Sequence, residues 1–382
     1  MHVTHIGAHD GPVIALAAAA IVQSLAAIAL YLIGRRPLSF DEIEFARATQ
    51  WIAEGRVPYR DFWEHHLPLQ WYLFAPLKAV EKSVGAAGIV SLRLAQVPLW
   101  IVTLFGLNRW MAAAGMALRS RLLAVAVLLS SLTFSLIALE YRVDALATLL
   151  VVFALLFSRR TGSYPMAAAA LLSMALLANL RALPAVAAIF AATILPHGPP
   201  FIRNGMRRAG LALAGALLPW AAYVAYLGVT VSAESFWQRV VIDNRVMERL
   251  MSAHAKPTLR HVFALFVQEM DFGSMLLLTA TAAGTLLALS RFRTFGPWQL
   301  LAVVQVVSAL FIVTMPVHYP YHFLSVLLLS APFVAYLAEE WFSVRAAVAL
   351  GAFLCFTSIL NLASAFQATT ERFRYQDFVM RT

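Results

Sequence analysis

An Asp41-Glu42 pair follows closely on Ser39, where a long apolar tract gives way to polar residues. Ser39 and Glu42 have the spacing of a capping box, in which a serine hydroxyl and a glutamate carboxylate each accept a backbone N–H at a helix start. The cap therefore accounts for Glu42, and any acid in a first helical turn stabilises the helix by about 0.3–1 kcal/mol. Asp41 is not needed for the cap. Its carboxylate, ionised beside a helix N-terminus, is placed to accept a proton from a hydroxyl, which is general-base chemistry. Asp41 is the candidate base and Glu42 its candidate catalytic neighbour.

Further polar groups stand in apolar surroundings: Arg142 between Glu140 and Asp144, Arg181 in Asn179-Leu180-Arg181, the pair His65-His66, and His318 and His322 around Tyr319-Pro320-Tyr321. Arg142 also reads as a local ion pair at a helix end, and the His318–His322 segment as an interfacial aromatic belt. Arg181 is harder to assign to structure alone, because an arginine between apolar segments is costly in lipid unless it faces a polar cavity or reaches the interface. His65 and His66 have only Glu64 close enough in sequence to join them, so no zinc-ligand spacing is complete and a divalent metal is not favoured. No other cofactor is expected.

The elements that must position these groups are helices. From Ser39, apolar Phe40, Ile43, Ala46 and Trp51 recur at helical spacing, and Gly55 offers a left-handed stop before Pro58. This predicts a short helix lying on the membrane surface with one face in the headgroups. A second such helix is expected from Pro68, a residue suited to a first helical turn, through Trp71, Tyr72 and Phe74. The rest of the chain is dominated by long apolar tracts. Of the 382 residues, 61% are hydrophobic and 13% charged, about half the charged share of an ordinary soluble domain. A water-soluble enzyme is thereby excluded.

About eleven spans are expected, near residues 12–33, 88–108, 121–139, 143–158, 164–180, 182–196, 210–230, 272–290, 297–315, 321–338 and 344–366. The fold class predicted is all-α, a polytopic transmembrane helix bundle forming one domain over 1–382, with long outer loops at 34–93 and 231–271. The pair 164–180 and 182–196 is short for two crossings and could form one broken hairpin. The first tract lacks a cleavage signature and is expected to be retained. The lone Cys355 excludes an intrachain disulfide.

The net charge of +10 is almost all arginine, with Lys78, Lys82 and Lys256 the only lysines. Nucleic acid is not an expected partner; membrane lipid is. With a cytoplasmic amino terminus, the short inner connections hold Arg109, Arg119, Arg121, Arg159, Arg160, Arg203, Arg207, Arg208, Arg291, Arg293 and Arg345, against Glu339 and Glu340 alone. The two long segments on the other side nearly balance their charges. This asymmetry sets the orientation by the positive-inside rule. The arginine-rich, alanine-rich composition points to a bacterial GC-rich genome, hence to an inner membrane with the long loops periplasmic.

The chain resembles the GT-C superfamily of integral membrane glycosyltransferases, in the branch of protein O-mannosyltransferases and the lipid A aminoarabinose transferase. The residues that carry the resemblance are Asp41-Glu42 in the first outer loop, the connection Gly55-Arg56-Val57-Pro58-Tyr59-Arg60-Asp61-Phe62, and His65-His66-Leu67-Pro68-Leu69. It extends more loosely to Glu140-Tyr141-Arg142-Val143-Asp144 and Asn179-Leu180-Arg181, about the first half of the chain. The family often has a Lys before the Pro where this chain has His65-His66, and Thr-Lys-Gly where it has Leu180-Arg181-Ala182.

The resemblance implies a polyprenyl-phosphate sugar donor whose sugar passes, with inversion, to a hydroxyl of a lipid, glycan or protein acceptor at the periplasmic face. Asp41 would take the acceptor proton. Arg181, Arg142, His65, His66, His318 and His322 would meet the departing phosphate, whose growing negative charge needs fixed cations. Asp144, Tyr59 and Tyr321 would meet the substrates. A rival reading is a flippase or transporter for polyprenyl-linked lipids or sugars, in which charges sit near the membrane centre in interrupted helices. Here the candidate residues map to one face. A polymerase or ligase of lipid-linked polysaccharide with a diphosphate donor would carry its main outer loop late in the chain, whereas here the acidic loop comes first.

Overall fold

A computed structural model describes residues 10–33, 39–84, 88–158, 164–194, 201–246, 249, 271–291, 296–315 and 320–381. Among the described residues the regular elements are helical, apart from one isolated bridge between Pro58 and Phe62. The all-α class follows from the composition. Backbone N–H and C=O groups inside lipid must be satisfied within the segment itself, and a helix does that.

In chain order the helices are α1 (Gly11–Ile33), α2 (Phe40–Ala53), α3 (Leu69–Val84), α4 (Gly88–Ala113), α5 (Leu118–Ser130), α6 (Leu132–Ala138), α7 (Val143–Ser158) and α8 (Pro165–Ala178). A 3-10 turn, Leu180–Ala182, leads into α9 (Leu183–Ile194), followed by α10 (Phe201–Thr230) and α11 (Ala233–Phe236), which continues as a π-helical stretch over Trp237–Asp243. Then come α12 (Phe272–Ser290), α13 (Pro297–Thr314), a 3-10 turn at Pro320–Phe323, α14 (Leu324–Trp341) and α15 (Val344–Arg381).

Six helices, α1, α10, α12, α13, α14 and α15, are long and apolar enough to cross a membrane. A seventh crossing is available if α5 and α6, bent by 76° at Ser131, count as one broken span. The expected eleven exceeds this. Where segments were predicted at 143–158, 164–180 and 182–196, the helices α7, α8 and α9 are short, and the 26-residue α4 carries Arg93, Gln96, Asn108 and Arg109. The predicted break between 164–180 and 182–196 is present as the 3-10 turn around Arg181.

The main core gathers residues of α1, α4–α9 and α12–α15. The helices α1 and α15 lie side by side, joined in their apolar interface by a Ser24–Ser358 hydrogen bond of 3.1 Å. Helix α10 lies against α8 so closely that a Cβ on Gly215 would collide with the backbone of Met166. Gly215→Val is therefore expected to destabilise the bundle by about 1–3 kcal/mol through overpacking; resistance to unfolding in detergent measures it.

At one end, Arg119 pairs with Asp10 at 3.0 Å, Ser120 donates to Glu339 at 2.6 Å, and Arg291 pairs with Glu340 at 2.9 Å. Residues expected on the cytoplasmic side thus meet at a common end. In a second, smaller core Phe45, Ile52, Phe62, Trp71, Phe74, Leu92 and Tyr141 pack α2, α3 and α4 onto the start of α7.

Candidate functional site

The first-loop helix begins as its sequence requires. Ser39 Oγ accepts the Glu42 N–H at 3.3 Å and Glu42 Oε2 accepts the Ser39 N–H at 3.2 Å, which closes the capping box. Gly55 ends the helix at φ +85°, the left-handed conformation that a residue without Cβ takes at least cost. Phe40 and Ile43 face outward, consistent with a surface helix, while Phe45, Ala48 and Ile52 face the core.

The capping box leaves Glu42 other work. Its carboxylate is fully buried and accepts Arg93 Nε at 2.8 Å and Nη2 at 2.6 Å, together with the Tyr141 N–H at 2.9 Å. Helix α2 is thereby fastened to α4 and to the turn before α7. Arg93 did not stand out in the sequence, although an arginine inside an otherwise apolar helix is the signal that points to it.

Arg142 sits in that turn, 1% exposed. It reaches Asp41 Oδ2 through Nη2 at 2.8 Å, Glu140 Oε2 through Nη1 at 3.2 Å and Asp144 Oδ2 through Nε at 3.3 Å. The local ion pair and the reach to Asp41 are therefore both present. The Asp41 side chain remains 31% exposed, against 2% for Arg142, so the outermost member of this cluster is the aspartate.

Asp144, in the first turn of α7, carries the network onward. Its Oδ1 accepts Asn179 Nδ2 at 2.9 Å, and Asn179 Oδ1 accepts the Arg181 N–H at 3.0 Å, so the side chain of Asn179 caps the 3-10 turn that presents Arg181. A cavity between α7, α9, α13 and α14 is lined by Asp144, Asn179, Arg181 and His322, with Ser308 and Ser325. The wall also carries apolar Val151, Ile312, Met315 and Leu329, so Arg181 borders a cavity that is polar only in part.

The His65-His66 loop borders this region. Burial lowers the His66 pKa from the ordinary histidine value; the hydrogen bond to Glu64 opposes that, and the neighbouring His65 and Arg181 add to the lowering. Burial pushes the Glu64 carboxyl up, but the hydrogen bond and charge of His66, with His65, outweigh it and leave the pKa lowered. Tyr59 is fully buried at φ +66°, and its hydroxyl donates to the His66 carbonyl at 2.6 Å. It supports the loop from beneath and does not line the cavity. Burial, then the neighbouring Tyr223, holds its pKa well above the usual tyrosine value, so the hydroxyl keeps its proton.

Of the predicted site residues, Asp41, Arg142 and Asp144 are bonded together, and Asp144, Arg181 and His322 share the cavity. Glu42 is engaged by Arg93, while His65, His66 and Tyr59 form a neighbouring loop. His318 lies outside the described residues; Tyr321 falls in the 3-10 turn Pro320–Phe323, and its side chain is also outside them. In the second outer segment, Asn244 Nδ2 donates to the His65 carbonyl at 3.4 Å and Phe236 meets the Tyr59 ring edge-on. Residues 59–65 and 236–244 of the two segments predicted as outer loops are therefore in contact.

No protein-family model matches the chain, and no curated protein sequence matches it. Among solved structures, it is similar to the oligosaccharyltransferase of Archaeoglobus fulgidus tethered to an acceptor peptide, with a TM-score of 0.49 and 12% identity over 93% of this chain and 55% of that one. It is likewise similar to the archaeal oligosaccharyltransferase AglB from Archaeoglobus fulgidus in complex with an inhibitory peptide and a dolichol-phosphate, with a TM-score of 0.49 and 13% identity over the same shares. The chain spans about half the length of these solved structures.

Proposed function

We propose that this membrane protein is an inverting glycosyltransferase that moves a sugar from a polyprenyl-phosphate donor to a hydroxyl of a lipid, glycan or protein acceptor at the periplasmic face of a bacterial inner membrane. One observation carries this reading. Asp41, partly exposed, is tied through Arg142 to Asp144, which lines a cavity that also holds Arg181 and His322. A proton acceptor and the cations for an anionic leaving group therefore belong to one connected site.

In the proposed reaction the acceptor oxygen attacks the anomeric carbon from the face opposite the phosphate. The bond from that carbon to the phosphate oxygen breaks, and the acceptor proton passes to Asp41. The phosphate leaves as a monoester, its added negative charge met by Arg181 and His322. Arg142 holds Asp41 at a fixed angle, which contributes orientation as well as charge. A carboxylate is a weak base, which suits a step in which bond breaking at the sugar runs ahead of proton removal. Glu42 acts in this reading as a positioning residue, since Arg93 and two backbone N–H groups engage its carboxylate.

The flippase reading is less well supported, because the ionised residues of the network gather at helix starts and turns and not within interrupted long spans. The test is to supply the purified chain in nanodiscs with polyprenyl-phosphate sugars and membrane-extract acceptors, reading release of polyprenyl phosphate and the anomeric configuration of the product. Release with inversion is expected; lipid translocation without bond cleavage, or retained configuration, would overturn the proposal. Arg181→Ala is expected to weaken donor binding by about 10-fold or more, the scale of a charge-assisted contact, and to spare acceptor affinity. Equal losses for both substrates would remove Arg181 from the phosphate.

A further inference from the structure

The two segments predicted as outer loops enclose an opening that the transfer step does not use. A cleft of about 310 Å³ is lined by Trp63 of the first segment and by Arg239, Asp243 and Val246 of the second. That volume is at the low end of ligand pockets, about 300–1,000 Å³. Arg239 and Asp243 are half-buried and belong to the π-helical stretch Trp237–Asp243, a winding that is rare and recurs at functional sites.

The ordinary reading of such charges is a solvated helix face, on which an arginine and an aspartate four residues apart pair across one turn. The geometry here departs from it. Among the described residues Arg239 forms no ion pair, and Asp243 Oδ1 is engaged by Gln238 Nε2 at 2.9 Å. Across the cleft, Trp63 Nε1 is shielded from solvent yet has no hydrogen-bond partner among the described residues. A buried indole N–H usually finds an acceptor. The indole is fixed from behind, because the His65 ring stacks on it at 5.1 Å with 21° between the planes. Asn244 Nδ2 donates to the His65 carbonyl at 3.4 Å and so ties the two walls together.

We propose that this cleft is a carbohydrate subsite, in which one sugar unit of a glycan acceptor lies against Trp63 while its hydroxyls bond Arg239 and Asp243. A sugar ring has an apolar C–H face and a rim of hydroxyls that both donate and accept. The indole matches the face; a guanidinium that only donates and a carboxylate that only accepts match the rim. A phosphate or other anion is attracted by Arg239 but repelled by Asp243, which favours a neutral ligand. The same loop joins the cleft to the helix of the candidate base. His65 Nδ1 lies 3.2 Å from Glu44 Oε1, and Glu44 stands three residues, about 4.5 Å along the axis of α2, from Asp41. The role as acceptor subsite rests on the transferase reading and selects glycan from its three acceptor classes; sugar binding in the cleft does not depend on that reading.

The test incubates the full chain in nanodiscs with an immobilised panel of oligosaccharides built from neutral hexoses, pentoses and N-acetylhexosamines, and reads the chain retained. Retention on at least one member is expected. Arg239→Gln and Asp243→Asn should each weaken it by about 10-fold or more, the scale of a hydrogen bond to a charged group, and Trp63→Leu by about 3–10-fold. Both charged residues are half-buried and unpaired with each other, so their variants should fold, which the unfolding temperature checks. Binding of a polyprenyl-phosphate sugar should be parental in Arg239→Gln, and Asp41→Asn should be retained on the panel like the parent, which separates sugar binding from the transfer chemistry. No retention of the parent on any member, parental retention of all three cleft variants, displacement by excess inorganic phosphate, or an equal loss of donor binding in Arg239→Gln would overturn the subsite.

Discussion

Asp41→Asn should lower single-turnover transfer by about 10²–10⁴-fold, the range associated with a positioned general base, and leave donor affinity within a factor of ~2–3. Asparagine keeps the size of the side chain and an oxygen that can accept from Arg142, whose Nη2 lies 2.8 Å from Asp41 Oδ2. What it loses is the ability to take a proton. The loss should therefore fall on turnover and not on binding.

Stability should not fall in parallel. Three carboxylates, Asp41, Glu140 and Asp144, meet the guanidinium of Arg142, and Asp41 is the most exposed of them, so neutralising it leaves the two more buried ion pairs in place. Asp41→Glu should recover part of the activity, because the longer side chain retains a carboxylate but not its position. Turnover by Asp41→Asn close to the parent's, from folded protein, would exclude Asp41 as the base and with it the proposed mechanism.

Arg93→Met should have the largest effect on folding, about 3–5 kcal/mol, because it strips the partner from a charge that no water reaches. The Glu42 side chain is 0% exposed and that of Arg93 7%, and the pair is bidentate at 2.8 and 2.6 Å. Glu42→Met alone should be similarly harmful, since it removes the bidentate carboxylate from the Arg93 guanidinium and also the acceptor for the Ser39 and Tyr141 N–H groups. The double variant should recover a substantial share of stability, because well-packed apolar side chains replace a buried ion pair at little cost. Unfolding of the four proteins in mixed micelles completes the cycle. Additive losses in the double variant would mean that the pair does not act as a unit. Activity should fall in both single variants with the position of Asp41, one residue from Glu42, and should return only partly in the double variant.

The legible part of this protein was local. The capping box at Ser39 and Glu42, the stop at Gly55 and the break at Asn179–Arg181 each depend on residues within a few positions of one another, and each is present where the spacing places it. Apolar tracts marked the helices for the same reason, since lipid demands backbone satisfaction inside each segment. The crossing count was less legible. Hydropathy cannot separate a spanning helix from a short apolar helix sheltered by its neighbours, and α7, α8 and α9, buried along much of their length, are of that ambiguous kind.

The sequence by itself determined an all-helical membrane protein with an acid pair at the start of a loop helix and a few costly cations elsewhere. Only the tertiary structure decided what those groups do to one another. Glu42 and Arg93 are separated by 51 positions, Asp41 and Arg142 by 101, and Asp144 and Asn179 by 35. Two acids that look alike in sequence part company there, Glu42 sealed against an arginine and Asp41 left at the surface of the cluster. An ion pair forms over a few ångströms and its strength depends on burial, and both are set by how helices pack, which no spacing along the chain records.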